Sequence, residues 1–331
     1  VTHPAALTPR KASPRLAFLL GVLLALGGCA QLPGAPELPA PPGFRTLVLP
    51  GRDGATLQAL ERGARVAPLR YRVVVVPGSG CAGMGAFAGR YFAGLLHAQV
   101  LVLHKPGVDP QARTAPGDCA SGFVQQDRLS AWLAHARAAL QADALRRQGE
   151  PPVPQLLVGI SEGAELLPAL APEVPQLAGL VLIGSSGLDP QQAGALQAER
   201  LGAQAAWAAL GRIQASRWAD SAVVQGRSLG YWRDLWSWPL ALPLVRSPWP
   251  LLQVWGGDDA LVPAAAYAHF AHLAARRTVP YCARRIGGAD HGLQRPDGSD
   301  GVQQVWAWVE QWARAPQAGL CGPGVSAADA S

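Results

Sequence analysis

The pentapeptide Gly159-Ile160-Ser161-Glu162-Gly163 sets a serine between two glycines, after the apolar run Gln155-Leu156-Leu157-Val158 and before Ala164-Glu165-Leu166-Leu167. A strand that feeds a helix through so tight a turn leaves no room for side chains at the flanking positions. It also holds the hydroxyl clear of the sheet, at the helix N-terminus. Free backbone N–H groups there can take a developing oxyanion. The chemistry served is nucleophilic attack of the serine on a carbonyl carbon. A Gly-rich turn with no chemical task has the same composition, so Ser161 needs partners before it means anything.

A serine nucleophile requires a base, and the base requires a group that orients it. Downstream, the strand-like run Pro250 to Trp255 is followed by Gly256-Gly257-Asp258-Asp259-Ala260-Leu261-Val262-Pro263. Further on, the strand-like run Tyr281 to Ile286 is followed by Gly287-Gly288-Ala289-Asp290-His291-Gly292. Serine, acid and base thus occur in that chain order, acid and base each in a loop after a strand. Solvated turns and helix caps use the same Asp residues, so order and context carry the argument.

On these residues the chain resembles the α/β-hydrolase superfamily, from about Phe44 to about Arg314. The resemblance implies a mostly parallel sheet flanked by helices, with a helical cap inserted late in the chain. It implies Ser161 as nucleophile and His291 as base. Gly256, Asp259, Val262 and Pro263 match the family's Gly-x-x-Asp-x-x-Val-Pro pattern, which makes Asp259 the acid, with the adjacent Asp258 as fallback and Asp189 as a distant alternative. The oxyanion would be received by the backbone N–H of Glu162 and by one from Ser79 or Gly80, in the loop after the β-branched run Tyr71 to Val76. Here Pro77-Gly78 stands where the family often has His-Gly.

Two charged residues near this site have competing readings. The Glu162 carboxylate would disfavour anionic substrates if it faced the pocket, but the first turn of a helix suits a Glu on dipole grounds alone. Lys105 follows the buried strand Val100 to His104, on the side where parallel strands meet ligands, and either meets a substrate carboxylate or seals the loop. The second alternative is the expectation in both cases.

The N-terminus reads as an export signal. Arg10, Lys11 and Arg15 precede an apolar stretch from Leu16 to Leu26, which is too short to span a bilayer. It ends in Leu26-Gly27-Gly28-Cys29, which resembles a bacterial lipobox with cleavage before Cys29 and lipidation of that cysteine. Ala30 next to it implies an outer-membrane destination, facing the periplasm. Residues 29–43 carry Pro33, Pro36, Pro39, Pro41 and Pro42 and read as a semi-stiff tether. The remaining cysteines are Cys81, Cys119, Cys282 and Cys321. An even set in an exported chain invites disulfides, favoured as Cys81–Cys119 and Cys282–Cys321, with free buried thiols as the alternative.

The expected organisation is a leader over 1–28, a tether over 29–43, a catalytic domain over 44–318 with its cap at about 187–248, and a loose tail over 319–331. Hydrophobic residues make up 49% of the chain and charged residues 15%, ample for a core and unlike a disordered chain. The net charge of +6 falls to +3 without the leader, and no basic run marks nucleic acid as a partner. Helices are expected over Met84 to His97 and Phe123 to Arg147. The cap segment holds Trp207, Trp218, Tyr231, Trp232, Trp236 and Trp238, which either line an apolar pocket or pack the cap. His269 and His272 stand three apart on a surface helix, and no paired short spacing marks a metal site. The expected activity is carboxylic-ester hydrolysis on small or medium acyl esters, with no cofactor. Peptide or amide cleavage and acyl transfer are the alternatives on the same fold, and a non-catalytic lipid-anchored binding protein is the alternative outside it.

Overall fold

β-branched and leucine-rich runs pair into one sheet whose order brings the candidate residues to a common edge. The computed structural model describes residues 43–115 and 117–322, so the leader, Cys29, the tether and the end of the tail lie outside the described residues. β1 (Arg45–Pro50) and β2 (Thr56–Arg62) form an antiparallel pair, followed by β3 (Tyr71–Val76), α1 (Gly85–Tyr91) and β4 (Ala98–Leu103). Next come α2 (Ser121–Gln126), α3 (Leu129–Arg146) and β5 (Gln155–Ile160). A 3-10 turn over Ser161–Leu166 and α4 (Leu167–Leu170) lead into β6 (Leu177–Ile183). The segment expected as a cap holds α5 (Pro190–Arg200), α6 (Gln204–Gln214), a ribbon of β7 (Val223–Val224) and β8 (Arg227–Ser228), α7 (Leu229–Ser237) and α8 (Ala241–Arg246). β9 (Leu251–Gly256), α9 (Ala264–Ala274), β10 (Tyr281–Ile286) and α10 (Val302–Arg314) complete the unit.

The eight-stranded sheet runs β1-β2-β4-β3-β5-β6-β9-β10. From β4 to β10 along the sheet every pairing is parallel, and β2 runs antiparallel to both of its neighbours, β1 and β4. Side chains alternate between faces along each strand. Val74, Val76, Leu101, Leu103, Leu157, Leu180 and Leu182 turn to α3, α4 and α9, while Val73, Val75, Val100, Val102, Leu156, Val158 and Val181 turn to α1 and α10. Burial on both faces explains why these strands read as unbroken apolar runs. Among the described residues no helix is long and apolar enough to cross a membrane.

Two expected helices differ. The one expected over Met84 to His97 spans Gly85–Tyr91, and the chain then turns at Gly94, where a Cβ would stand 3.0 Å from Trp306. The long helix is broken, since Asp127 and Arg128 are extended between α2 and α3. The break lets the Asp127 carboxylate meet Lys105 Nζ at 2.8 Å and Arg227 Nη1 at 2.7 Å. Both disulfides are present in the favoured pairing, Cys81–Cys119 and Cys282–Cys321.

Candidate active site

Ser79, Lys105, Ser161, Asp259 and His291 all follow the C-terminal ends of strands in the parallel part of the sheet, where loops from successive strands converge. Ser161 sits at φ 52°, a left-handed conformation a non-Gly residue adopts only when its surroundings impose it. The flanking glycines impose it. A Cβ on Gly159 would lie 2.3 Å from Ala164 Cα, and one on Gly163 would lie 2.1 Å from the Val76 carbonyl oxygen. Only hydrogen fits at either place, so β5 can bend sharply and present the hydroxyl above the sheet.

The structure brings Ser161, Asp259 and His291 together. His291 Nε2 is 3.0 Å from Ser161 Oγ, and its Nδ1 is 2.9 Å from Asp259 Oδ2. The ring rests on the end of β6 at Gly184, where a Cβ would approach its Cε1 to 3.2 Å. Asp259 Oδ1 accepts from the Leu261 and Val262 N–H groups at 2.8 and 2.9 Å, and Oδ2 accepts from Tyr267 Oη at 3.0 Å. Burial alone would raise this carboxyl. Hydrogen bonds from His291 and the two backbone donors outweigh burial and hold it below the ordinary carboxylate value. Tyr267 escaped sequence reasoning; its only signal is an aromatic one face along the helix that follows the acid.

The other acids take different places. Asp258 is exposed. Asp189 Oδ1 accepts from the Leu240 and Ala241 N–H groups at 2.6 and 2.8 Å and so caps the start of α8. His269 and His272 are exposed on α9, and no third side chain joins them in a metal-holding group among the described residues.

The Gly78–Gly80 turn passes beside Ser161, since a Cβ on Gly78 would lie 3.3 Å from Ser161 Cβ. Gly80 has φ 94°, a conformation that favours glycine, and the next residue, Cys81, joins Cys119. Glu162 is the second residue of the 3-10 turn over Ser161–Leu166, where the first N–H groups have no partner within the helix. Its side chain faces away into a polar cluster that sequence reasoning missed. Lys105 Nζ bonds Glu162 Oε1, and Tyr231 Oη donates to Oε2 at 2.7 Å. Lys105 is thus buried in the loop rather than presented to the solvent, and the Glu162 carboxylate answers to a lysine and a tyrosine, partners the helix-dipole expectation did not include. Burial opposes charge on both. Even so, the lysine is held above its ordinary value by Glu162 and Asp127, and Glu162 below its own by Lys105 and Arg227. Glu165, one turn on, has no partner for Oε2; burial, then the Glu162 charge, pushes its carboxyl well up.

The cap aromatics mostly hold the cap together. Trp207 stacks on Trp236 at 4.5 Å, Trp232 donates to the Val224 carbonyl, Trp238 donates to the Glu165 carbonyl, and Trp218 is exposed. Packing accounts for four of the six rings, and Tyr231 belongs to the polar cluster.

No protein-family model matches the chain, and no curated protein resembles it closely enough in sequence to match. Solved structures do. A puromycin-hydrolyzing peptidase of Mycobacterium tuberculosis is similar with a TM-score of 0.57 and 17% identity over 86% of this chain, which spans only 41% of the peptidase's length. The esterase domain of a Rhodothermus marinus protein is similar with a TM-score of 0.51 and 21% identity, covering 82% of this chain and 98% of that one. A thermostable carboxyl esterase from Bacillus coagulans has a TM-score of 0.55 at 14% identity, covering 82% and 99%. At such identities the likeness is one of fold. Together with the strand order it establishes that this chain has the α/β-hydrolase fold.

Proposed function

We propose that the protein is a serine hydrolase that cleaves carboxylic esters through an acyl-enzyme. The carrying observation is the hydrogen-bonded line from Ser161 Oγ through His291 to Asp259, at 3.0 and 2.9 Å. Ser161 Oγ bonds the ester carbonyl carbon while its proton passes to His291 Nε2. Asp259 holds the ring in the tautomer that leaves Nε2 free and steadies the imidazolium. The oxyanion is taken by the Glu162 N–H and by a backbone N–H of Ser79 or Gly80. The tetrahedral adduct then expels the alcohol, which leaves with the proton from Nε2. Water, deprotonated by the same nitrogen, attacks the acyl-enzyme; the acid departs and Oγ regains its proton.

An ester is favoured because an alkoxide leaves more readily than an amine. Structures of the same fold are described as esterases, a lipase and a peptidase, so amide cleavage is the nearest alternative. The reading extends to the N-terminus, where the lipobox-like sequence before Cys29 supports a lipid anchor on an outer membrane, with the catalytic domain held on a Pro-rich tether. A panel of p-nitrophenyl esters from acetate to octanoate, set against aminoacyl p-nitroanilides, tests the substrate class. Turnover of the esters at a kcat/KM at least tenfold higher supports it. Preferential anilide cleavage makes the protein a peptidase, and inertness towards both returns it to the binding-protein reading.

A further inference from the structure

Five side chains behind the nucleophile close a ring of contacts. Glu162 Oε1 meets Lys105 Nζ; Lys105 Nζ meets Asp127 Oδ1 at 2.8 Å; Asp127 Oδ2 meets Arg227 Nη1 at 2.7 Å. The Arg227 guanidinium lies over the Tyr231 ring, 4.7 Å from its centre, and Tyr231 Oη returns to Glu162 Oε2 at 2.7 Å. Two cations face two carboxylates, and the Lys105, Asp127 and Glu162 side chains are only 3%, 3% and 6% exposed. The members come from four places: the end of β4, the break between α2 and α3, the turn after Ser161, and the cap.

Lys105, Asp127 and Glu162 are taken out of water while Arg227 keeps 22% of its side chain exposed, and burying charges in this way is costly, since apolar side chains of similar volume often stabilise a fold as well or better. What the ring supplies is orientation. Glu162 carries both the N–H that the acyl-transfer reading assigns to the oxyanion and a carboxylate that the ring holds at both oxygens. The direction of that N–H depends on the Ser161–Glu162 peptide, in a stretch where Ser161 already has φ 52°. A backbone in that region relaxes unless something fixes it.

We propose that Lys105, Asp127, Arg227 and Tyr231 are positioning residues that hold Glu162 so that its backbone N–H meets the oxyanion, and that through Arg227 and Tyr231 the cap takes part in this alignment. The proposal rests on the acyl-transfer reading. It puts the effect in the transition state, because the carbonyl oxygen needs the donor fully only once it carries charge.

The test uses the full chain and the variants Tyr231→Phe, Glu162→Ala and Glu162→Gln. The readouts are kcat and KM on a p-nitrophenyl ester, the Ki of phenylboronic acid, whose tetrahedral serine adduct occupies the oxyanion site, and Tm. Tyr231→Phe removes one hydroxyl and is the variant most certain to fold. The expected result is a fall in kcat of about tenfold or more for Tyr231→Phe and about 10²–10³-fold for Glu162→Ala. KM should stay within about twofold, boronate Ki should rise in step with the fall in kcat, and Glu162→Gln, which can still bond both partners, should recover most of the loss. Folded Tyr231→Phe and Glu162→Ala proteins with parental kcat and boronate affinity would overturn the proposal. So would a Glu162→Gln variant no better than Ala. A parent that neither turns over ester nor binds boronate would overturn the acyl-transfer reading itself, and the parent measurement alone tells the two failures apart.

Discussion

Asp259 and His104 show at the residue scale how burial and hydrogen bonding set charge, and they pull stability against pH in the same direction for opposite reasons. The Asp259 carboxyl is held below its ordinary value, burial being outweighed by the bonds from His291 and the backbone. A depressed carboxyl contributes stability above the unfolded pKa of about 4 and loses it as pH falls through the folded value. Asp259→Asn is therefore expected to lower Tm at pH 7 and to reduce the fall in Tm between pH 5 and pH 2. Equal slopes for parent and variant would refute that role. His104 is buried at the end of β4, with Nε2 accepting from the Met84 N–H at 3.1 Å, and burial pushes its pKa down to about 4 from 6.5. An imidazole kept neutral by the fold takes up protons on unfolding, so its cost begins as pH drops below 6.5 and levels off near 4. The cost reaches on the order of 3 kcal/mol. His104→Gln keeps an acceptor for Met84 and is expected to flatten the stability curve across that window, as measured by urea unfolding at several pH values.

At the scale of elements, the two disulfides separate fold from function. Cys81 lies directly after Ser79 and Gly80, so its bond to Cys119 tethers the loop proposed to supply the second oxyanion donor. Cys282–Cys321 fastens the segment after α10 to the first half of β10, away from the strand ends that carry Ser161, Asp259 and His291. Each spans a similar separation, 38 and 39 residues, so removing either pair is expected to cost about 2–4 kcal/mol. Only Cys81→Ser/Cys119→Ser should also lower kcat, by about tenfold; equal kcat in both double variants would contradict the assignment. Strands and loops of this kind were legible in the sequence because each carries its own signal: buried runs for β3 to β6, a Gly-x-Ser-x-Gly turn, an acid and a histidine each just beyond a strand. The break at Asp127–Arg128 was not, because apolar spacing continues across it and its cause is remote. Arg227 lies 100 residues from the Asp127 it binds, and Tyr231 lies 69 from Glu162. Contacts that distant leave no periodicity to read, and for the same reason the clustering of cap tryptophans could not say whether they line a pocket or pack on one another.

At the scale of the whole molecule, Ser161, Asp259 and His291 meet at the C-terminal ends of the parallel strands, while the proposed attachment to a membrane depends on a short segment far from them along the chain. If Cys29 carries the anchor, Cys29→Ser expressed with its own leader is expected to move the protein from the membrane fraction to the soluble fraction, with kcat/KM on a soluble ester within about twofold of the parent. Persistence of the variant in the membrane fraction would assign attachment to another part of the chain. The central claim is the activated serine, and labelling with a fluorophosphonate probe, comparing the parent with Ser161→Ala, tests it most directly. The probe reports the nucleophile without requiring the natural substrate. The account predicts covalent labelling of the parent at Ser161 and none of the variant, with both proteins folded. A folded parent that takes no label, or a Ser161→Ala protein that labels as the parent does, would contradict it.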